Sequence, residues 1–182
     1  MKKVKIKQIS NLKITLIGLL FSIPFIINFN GCFGCPYSFT GASVPPHLKT
    51  IAIPYADDRS GSGEQGLREM LTEKLTQKFI DDNSLLIAER TSADALLECV
   101  IVNINDAPAV VISGESVATR RISVTVQVTY KDLVKRITIF EKQFSNYGDY
   151  ASDGGFTERA KGIELAIENI SEDILLETVS GW

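Results

Sequence analysis

The sequence RRISVTVQVTYK, residues 120–131, alternates strictly between polar and apolar side chains from Arg121 onward. Its apolar side chains occupy every second position: Ile122, Val124, Val126, Val128 and Tyr130. A period of two places these side chains on one face of a β-strand and the intervening polar residues on the other. The stretch therefore predicts a long strand with one face in a core and a hydroxyl-rich polar face outside it.

Neighbouring stretches predict the rest of a sheet. Residues 132–136 have the composition of a turn, and residues 137–147 are expected to pair back onto the central strand as a hairpin. Residues 96–104 predict the strand before it, with Cys99 as a small buried apolar residue. Two shorter strands are expected on the N-terminal side, at residues 50–54 and 85–88.

Two apolar stripes at helical spacing predict helices. The first stripe comprises Leu67, Leu71, Leu75 and Phe79 and ends near residue 83. The second lies within residues 156–179 and comprises Ala160, Ile163, Ile167, Ile170 and Ile174. Ser62 and Gln65 fit a capping box at the start of the first helix.

The order of these elements predicts the fold class. We expect one α+β domain over residues 49–182, with two helices packed on one face of a mostly antiparallel four- to five-stranded sheet. Each element has one apolar side to bury, which this arrangement satisfies. Loops are expected at residues 57–61, 105–119 and 147–156, where aspartate, glycine and proline interrupt the periodicity.

Residues 1–31 have the pattern of a lipoprotein-type signal peptide. A lysine-rich start is followed by an apolar run over residues 14–27, and Gly31 is a small residue directly before Cys32. A permanent transmembrane anchor is the competing interpretation. The apolar run is short for a hydrocarbon core of about 30 Å, and Pro24 interrupts its end.

The roles expected for Cys32 and Cys35 follow from that interpretation. Cys32 is the expected lipidation site, with Cys35 as the alternative, because an odd number of cysteines in an exported chain needs an explanation. Residues 32–48 are then the lipidated N-terminus and a linker. The expected contact with the membrane is through the N-terminal lipid.

The charge balance disfavours one class of partner. The net charge of the chain is −3, and subtracting the five lysines of the leader leaves −8 for the remainder. Proteins that bind nucleic acid generally need a basic surface. No nucleic-acid partner is therefore expected.

The sequence offers few groups for catalysis. His47 is the one histidine, and beside Pro45 and Pro46 in the linker it is expected to be solvated. The Cys32–Cys35 pair lies at a cleavage point rather than in a redox-active context. No metal cluster and no phosphate-binding loop is present, so we expect no enzyme activity, no catalytic residue and no cofactor. A hydrolase that uses carboxylates remains as an alternative.

Several segments in order carry a family resemblance over essentially the whole mature chain. They are YSFTG at 37–41, PP at 45–46, KTIAIP at 49–54, the loop and helix over 57–79, ADALLE at 93–98, TVQVTYKD at 125–132, FEKQF at 140–144 and GW at 181–182. Their order and spacing resemble the LptE family of lipopolysaccharide-assembly outer-membrane lipoproteins.

The resemblance implies a location and partners. An LptE-like protein would be lipid-anchored at the outer membrane, facing the periplasm and a barrel lumen. It would sit inside the LptD β-barrel as a plug and help to deliver lipopolysaccharide to the cell surface. Asn30 departs from the family's signal pattern, which leaves open whether Cys32 or Cys35 is acylated. The alternative is a periplasm-facing lipoprotein of similar fold that regulates another envelope machine, such as cell-wall synthesis.

Basic residues of the predicted hairpin form the candidate lipopolysaccharide site. Residues 119–142 contain six basic and two acidic side chains, a net charge of +4. Lipopolysaccharide presents phosphates, which arginine binds through bidentate, charge-assisted hydrogen bonds. We predict a site made by Arg121 and Lys131 on the polar face, with Arg120 and Arg136 near the hairpin ends. The competing interpretation is that these are ordinary solvated charges at strand ends.

Overall fold

The computed structural model describes residues 44–109 and 119–180. The strands are β1 (Thr50–Ala52), β2 (Asp57–Asp58), β3 (Leu86–Ile87), β4 (Ala95–Pro108), β5 (Thr119–Asp132) and β6 (Ile137–Ala151). The helices are α1 (Leu67–Asp82) and α2 (Gly155–Ser180). The predicted signal peptide, Cys32 and Cys35 lie outside the described residues. Within those residues, neither helix combines the length and apolarity needed to span a bilayer.

The predicted α+β class with two helices is confirmed, whereas the sheet is larger than expected and mixed. Its strand order is β3-β1-β4-β5-β6, with β2 also paired to β4, which makes six strands. The long strands β4, β5 and β6 are antiparallel, but β1 pairs in parallel with β3 and β4, and β2 in parallel with β4. Helix α1 provides the crossover that a parallel β1–β3 pair requires. Strand β2 was predicted as a loop because aspartate has a low intrinsic preference for strands.

The apolar face of β5 lies in the core, as its alternation predicted. All five of its apolar side chains are fully buried. They belong to one cluster with the stripes of both helices, including Leu71 and Leu75 of α1 and Ile167 and Ile170 of α2. Ala160, predicted as part of the second stripe, is instead exposed in the first turns of α2. The helices therefore cover one face of the long antiparallel strands. Cys99 is buried in the same cluster, as expected.

The start of α1 differs from the prediction. The helix begins at Leu67, after Gly66 in a left-handed conformation with φ 82°, and no side chain caps it. The hydroxyl of Ser62 instead accepts a hydrogen bond from the Glu64 backbone N–H at 3.3 Å. The capping-box prediction is therefore wrong, because a left-handed residue at the helix entry changes the direction of the chain between Ser62 and the first turn.

Strands β4 and β6 extend beyond the expected boundaries. Residues 105–108 and 147–151 were predicted as loops, yet both pair with the first residues of β5. These pairs include Asp106 with Ile122 and Tyr150 with Arg120. These strand ends are rich in polar residues and lack apolar alternation, so the sequence pattern did not indicate them.

Helix α2 packs against β6 at two glycines. A Cβ atom added to Gly148 of β6 would lie 2.0 Å from the carbonyl oxygen of Gly162 in α2. The two backbones are therefore in direct contact, which only a residue without a side chain allows at Gly148. This contact determines how closely the helix approaches the edge strand.

Candidate functional site

The sheet face turned away from the helices, hereafter the outer face, is the candidate functional surface. Its centre on β5 consists of Ser123, Thr125, Gln127 and Thr129, all partly exposed. Their register partners on β6 are Tyr147, Ser145, Gln143 and Glu141, in that order. The strictly alternating strand thus places a row of hydroxyl and amide groups beside a second polar row.

Side chains of these rows bond to one another across the strands. The hydroxyls of Thr125 and Ser145 lie 3.1 Å apart, and the Gln127 amide donates to a carboxylate oxygen of Glu141 at 3.2 Å. Cross-strand polar pairs of this kind stabilise a sheet modestly while their remaining donors and acceptors stay available to solvent. The outer face is therefore an ordered surface of mostly uncharged polar groups.

Arg121 is held at one end of the outer face. Its Nε and Nη2 atoms donate to the two carboxylate oxygens of Asp149 at 2.7 and 2.8 Å. The guanidinium also lies over the ring of Tyr147, 3.6 Å from the ring centroid. These hydrogen bonds, donated by Arg121 and accepted by Asp149, lower the pKa of Asp149 and raise the pKa of Arg121. Arg121 is therefore oriented by two neighbours on β6.

Lys131 lies at the other end of the same face. Its Nζ atom is 2.5 Å from a carboxylate oxygen of Glu98 on β4. The other oxygen of Glu98 is 3.3 Å from Nη2 of Arg90. Ten residues of extended chain separate Arg121 and Lys131, which places them roughly 33 Å apart along β5.

The structure does not bring the four predicted basic residues together. Arg121 and Lys131 share the outer face, as predicted, but at opposite ends. Arg120 points to the helix side, where its Nε donates to Asp106 at 2.9 Å. Arg136 is exposed in the β5–β6 turn and adopts a left-handed backbone with φ 58°. The positive charge of the hairpin is also offset, because four of its six basic side chains contact carboxylates: Arg120, Arg121, Lys131 and Lys142.

Comparison with known proteins identifies the family. The family model described as "LptE: Lipopolysaccharide-assembly" matches residues 48–178. The chain belongs to the LptE family. This is a family of non-enzymatic envelope lipoproteins that take part in lipopolysaccharide assembly. The family resemblance predicted from the sequence is therefore confirmed.

Solved structures with little sequence identity share the fold of this LptE-family chain. The hypothetical protein CT253 from Chlamydia trachomatis is 12% identical with a TM-score of 0.55, and the match covers 71% of this chain and 95% of that one. Protein XCC0632 from Xanthomonas campestris is 13% identical with a TM-score of 0.57, and the match covers 76% and 90%. No curated protein sequence matches the chain.

A polar network on the helix side of this LptE-family sheet was not predicted. Asp106 of β4 accepts hydrogen bonds from Arg120, from the Tyr150 hydroxyl at 2.7 Å and from Nε of Arg159 at 3.2 Å. Arg159 also donates to Glu64, in the chain before α1. The network therefore joins β4, β5, β6, α2 and the approach to α1. Asp106 and Tyr150 lie in segments predicted as loops, so nothing in the sequence pattern indicated that they would meet.

The ionised carboxyl group of Asp106 accepts the hydrogen bonds at the centre of this network. Burial raises the pKa of Asp106, but the hydrogen bonds from Tyr150, Arg120 and Arg159 outweigh burial and hold the pKa below its usual value. A carboxyl group with a depressed folded-state pKa stabilises the fold above its unfolded-state pKa of about 3.9. That stabilisation is lost as the pH falls through the folded-state value.

Replacing Asp106 by asparagine is expected to lower the free energy of unfolding by about 2–4 kcal/mol at pH 7, because two guanidinium groups lose a charged acceptor. The difference from the parent should be smaller at pH 3, because that pH lies below the unfolded-state pKa of about 3.9 and protonation of the unfolded chain already removes part of the stabilisation by Asp106. Urea unfolding at both pH values measures this, with Asp153→Asn in the exposed turn after β6 as the control. A difference that stays constant with pH would show that the charge of Asp106 is not what stabilises the network.

His47 occupies a different environment from the one predicted. Its Nε2 atom lies 2.7 Å from a carboxylate oxygen of Asp132, and its side chain is 27% exposed. Asp132 is 2% exposed and also accepts from the Lys135 backbone N–H at 2.8 Å. The expectation of a solvated His47 is therefore wrong. The alternation of β5 places Asp132 on the core side after Tyr130, and a buried carboxylate there needs such a partner.

Proposed function

We propose that this protein is an outer-membrane lipoprotein that plugs and supports an LptD-like β-barrel and assists the transport and assembly of lipopolysaccharide at the cell surface. Membership of the LptE family supports the role in lipopolysaccharide assembly. The observation that carries the plug role is the outer face, with its two rows of mostly uncharged hydroxyl and amide groups.

The outer face suits the interior of a large β-barrel. Such interiors are polar, so an apolar surface would be poorly matched to them. The two basic residues at the ends of the outer face, Arg121 and Lys131, are largely neutralised by ion pairs with Asp149 and Glu98. Strand β5 has 14 residues, which gives a length of roughly 45 Å, well beyond the apolar band of about 25 Å of an outer-membrane barrel. A strand of this length is long enough to contact the barrel wall over the whole height of that wall.

Co-purification tests the proposal. Full-length tagged protein is captured from detergent-solubilised outer membranes, and one large β-barrel protein is expected in about equal amount. Ser145→Glu adds a charge in the middle of the outer face and should reduce capture at least several-fold. Ser92→Glu, in an exposed turn before β4, is the matched control and should leave capture unchanged. Capture of no barrel, or equal effects of the two substitutions, would contradict the plug role.

We also propose that Arg121 and Lys131 bind lipopolysaccharide, with Arg120 and Arg136 as further candidates. Arg121 and Lys131 lie on the outer face with their charged ends partly exposed. We expect Arg121→Gln with Lys131→Gln to weaken lipopolysaccharide binding about tenfold and to reduce its salt dependence, because phosphates would lose two cationic partners.

Binding is measured with full-length protein in detergent at two salt concentrations. Lys49→Gln with Lys161→Gln removes two exposed charges away from the outer face and serves as the control. If the Arg121 and Lys131 variant keeps the parent's affinity and salt dependence while remaining folded, these residues do not bind lipopolysaccharide.

Lipidation at Cys32 is part of the proposal. One acyl chain gives only marginal membrane binding, so stable anchoring would require more than one chain on the N-terminal residue. Mass spectrometry of the mature protein is expected to show an acylated N-terminus at Cys32. Cys32→Ser should release the protein from the membrane, whereas Cys35→Ser should not. A mature N-terminus at Cys35 would instead support the alternative site.

A further inference from the structure

A polar pocket opens on the outer face where β4 begins and β5 ends. Its volume is about 360 Å³, within the range of about 300–1,000 Å³ typical of small-molecule sites. The polar and aromatic side chains that line it include Tyr55, Asp57, Arg59, Arg90, Glu98 and Thr129. They come from the β1–β2 connection, β2 and the residue after it, the turn before β4, and the two long strands β4 and β5. We call this site the Tyr55 pocket.

The charged side chains that line the Tyr55 pocket are two arginines and two carboxylates. Glu98 is shared by two cations, with Arg90 at 3.3 Å and Lys131 at 2.5 Å. Asp57 faces Arg59 alone, at 3.5 Å. The lining is therefore balanced in charge, although Glu98 is also held by Lys131, which lies outside it. An anionic group entering the pocket would give Arg90 an acceptor that it does not share with Lys131.

The two arginines are free to exchange partners. The side chains of Arg59 and Arg90 are 71% and 65% exposed, and each contacts its carboxylate through one Nη2 atom. Exposed ion pairs of this kind contribute little to stability, so turning a guanidinium towards a ligand costs little. A phosphate or carboxylate could then accept two parallel hydrogen bonds, which is a stronger arrangement.

Tyr55 provides a different kind of contact at the rim. It is 69% exposed, although it is a large aromatic residue on a short connection between two strands. The face of a tyrosine ring can cover the C–H face of a sugar ring, while the hydroxyl groups around that ring bond to polar side chains. Glu98 is an acceptor and Thr129 is both donor and acceptor, as sugar hydroxyls require. A lipid chain, in contrast, would bury the charges of the lining without any partner.

We propose that the Tyr55 pocket binds one acidic sugar unit, with Tyr55 against the ring and Arg59 and Arg90 on its phosphate or carboxylate. The inference rests on the proposed function only for the source of the sugar, which would be the saccharide part of lipopolysaccharide. The same chemistry could come from a sugar phosphate or from a sugar carboxylate.

Binding of small sugars to full-length protein in detergent tests the pocket, by saturation-transfer NMR with ligand titration. The probes are glucosamine 1-phosphate, glucuronate, glucose and inorganic phosphate. Saturable binding is expected for at least one of the two acidic sugars, at least tenfold tighter than for glucose or inorganic phosphate. Which acidic sugar binds more tightly identifies the anionic group. Absence of saturable binding by both acidic sugars, or equal binding of glucose or phosphate, would overturn the proposal.

Substitutions test whether the acidic sugars bind in the Tyr55 pocket. Arg59→Gln with Arg90→Gln should weaken acidic-sugar binding at least tenfold, and Tyr55→Ala about three- to tenfold. Lys49→Gln with Lys161→Gln is the control for lost charge, and Phe156→Ala, at a residue 91% exposed at the start of α2, is the control for a lost aromatic ring. Equal effects of test and control variants would overturn the assignment to this pocket.

The outcome separates this inference from the proposed function. If the protein binds lipopolysaccharide and captures a barrel but binds no acidic sugar, only the Tyr55 pocket assignment fails. If acidic sugars bind in the pocket while no barrel is captured and lipopolysaccharide does not bind, the pocket assignment stands and the proposed function fails.

Discussion

Replacing Val126 by aspartate is expected to lower the free energy of unfolding by about 3–5 kcal/mol, a large part of the roughly 5–15 kcal/mol by which such domains are stable. Val126 is fully buried in the middle of β5 and belongs to the cluster that includes both helical stripes. A carboxylate there would have neither water nor a cationic partner. Thermal or urea unfolding followed by circular dichroism measures the loss.

Thr125→Asp is the matched control, one residue away on the same strand. Thr125 lies on the outer face, where an added charge can remain hydrated, and its hydroxyl loses only the contact with Ser145. Its cost should stay below about 1 kcal/mol. Equal destabilisation by the two substitutions would mean that the two faces of β5 are not as distinct as their alternation indicates.

Replacing Gly148 by alanine is expected to destabilise the fold by about 3 kcal/mol, although only one methyl group is added. The new Cβ would lie 2.0 Å from the Gly162 carbonyl oxygen and 2.9 Å from its carbonyl carbon. Both atoms belong to the backbone of α2, so no side chain can rotate away and the helix must move off the sheet. Overpacking of this kind costs about 1–3 kcal/mol and sometimes more.

Gly162→Ala tests the same contact from the helix side and should behave differently. Its Cβ would meet side-chain atoms of Tyr150 and Ile122 at 3.1 and 3.3 Å, which can shift by a few tenths of an ångström. Alanine also favours a helix by about 1 kcal/mol relative to glycine. We expect a net change within about 1 kcal/mol of zero. A larger loss for Gly162→Ala than for Gly148→Ala in parallel urea unfolding would show that the backbone contact does not limit the approach of α2.

The sequence by itself determined the parts of this protein that depend on local periodicity. The alternation in residues 120–131 identified β5 and its two faces, and the i, i+4 stripes identified both helices. These patterns could be interpreted without a partner, because one buried face is a property of each element alone. The same alternation placed Arg121 and Lys131 on one face correctly.

Only the tertiary structure decided which groups meet. Nothing local indicates that Arg120 contacts Asp106 or that Lys131 contacts Glu98, since 14 and 33 residues separate these pairs in the sequence. The parallel pairing of β1 with β3 and β4, and the Gly148 contact with Gly162, likewise depend on how α1 and α2 lie against the sheet. Periodicity determines which side of an element is buried. The partner of a charge or the space beside a glycine is determined by elements distant in the chain.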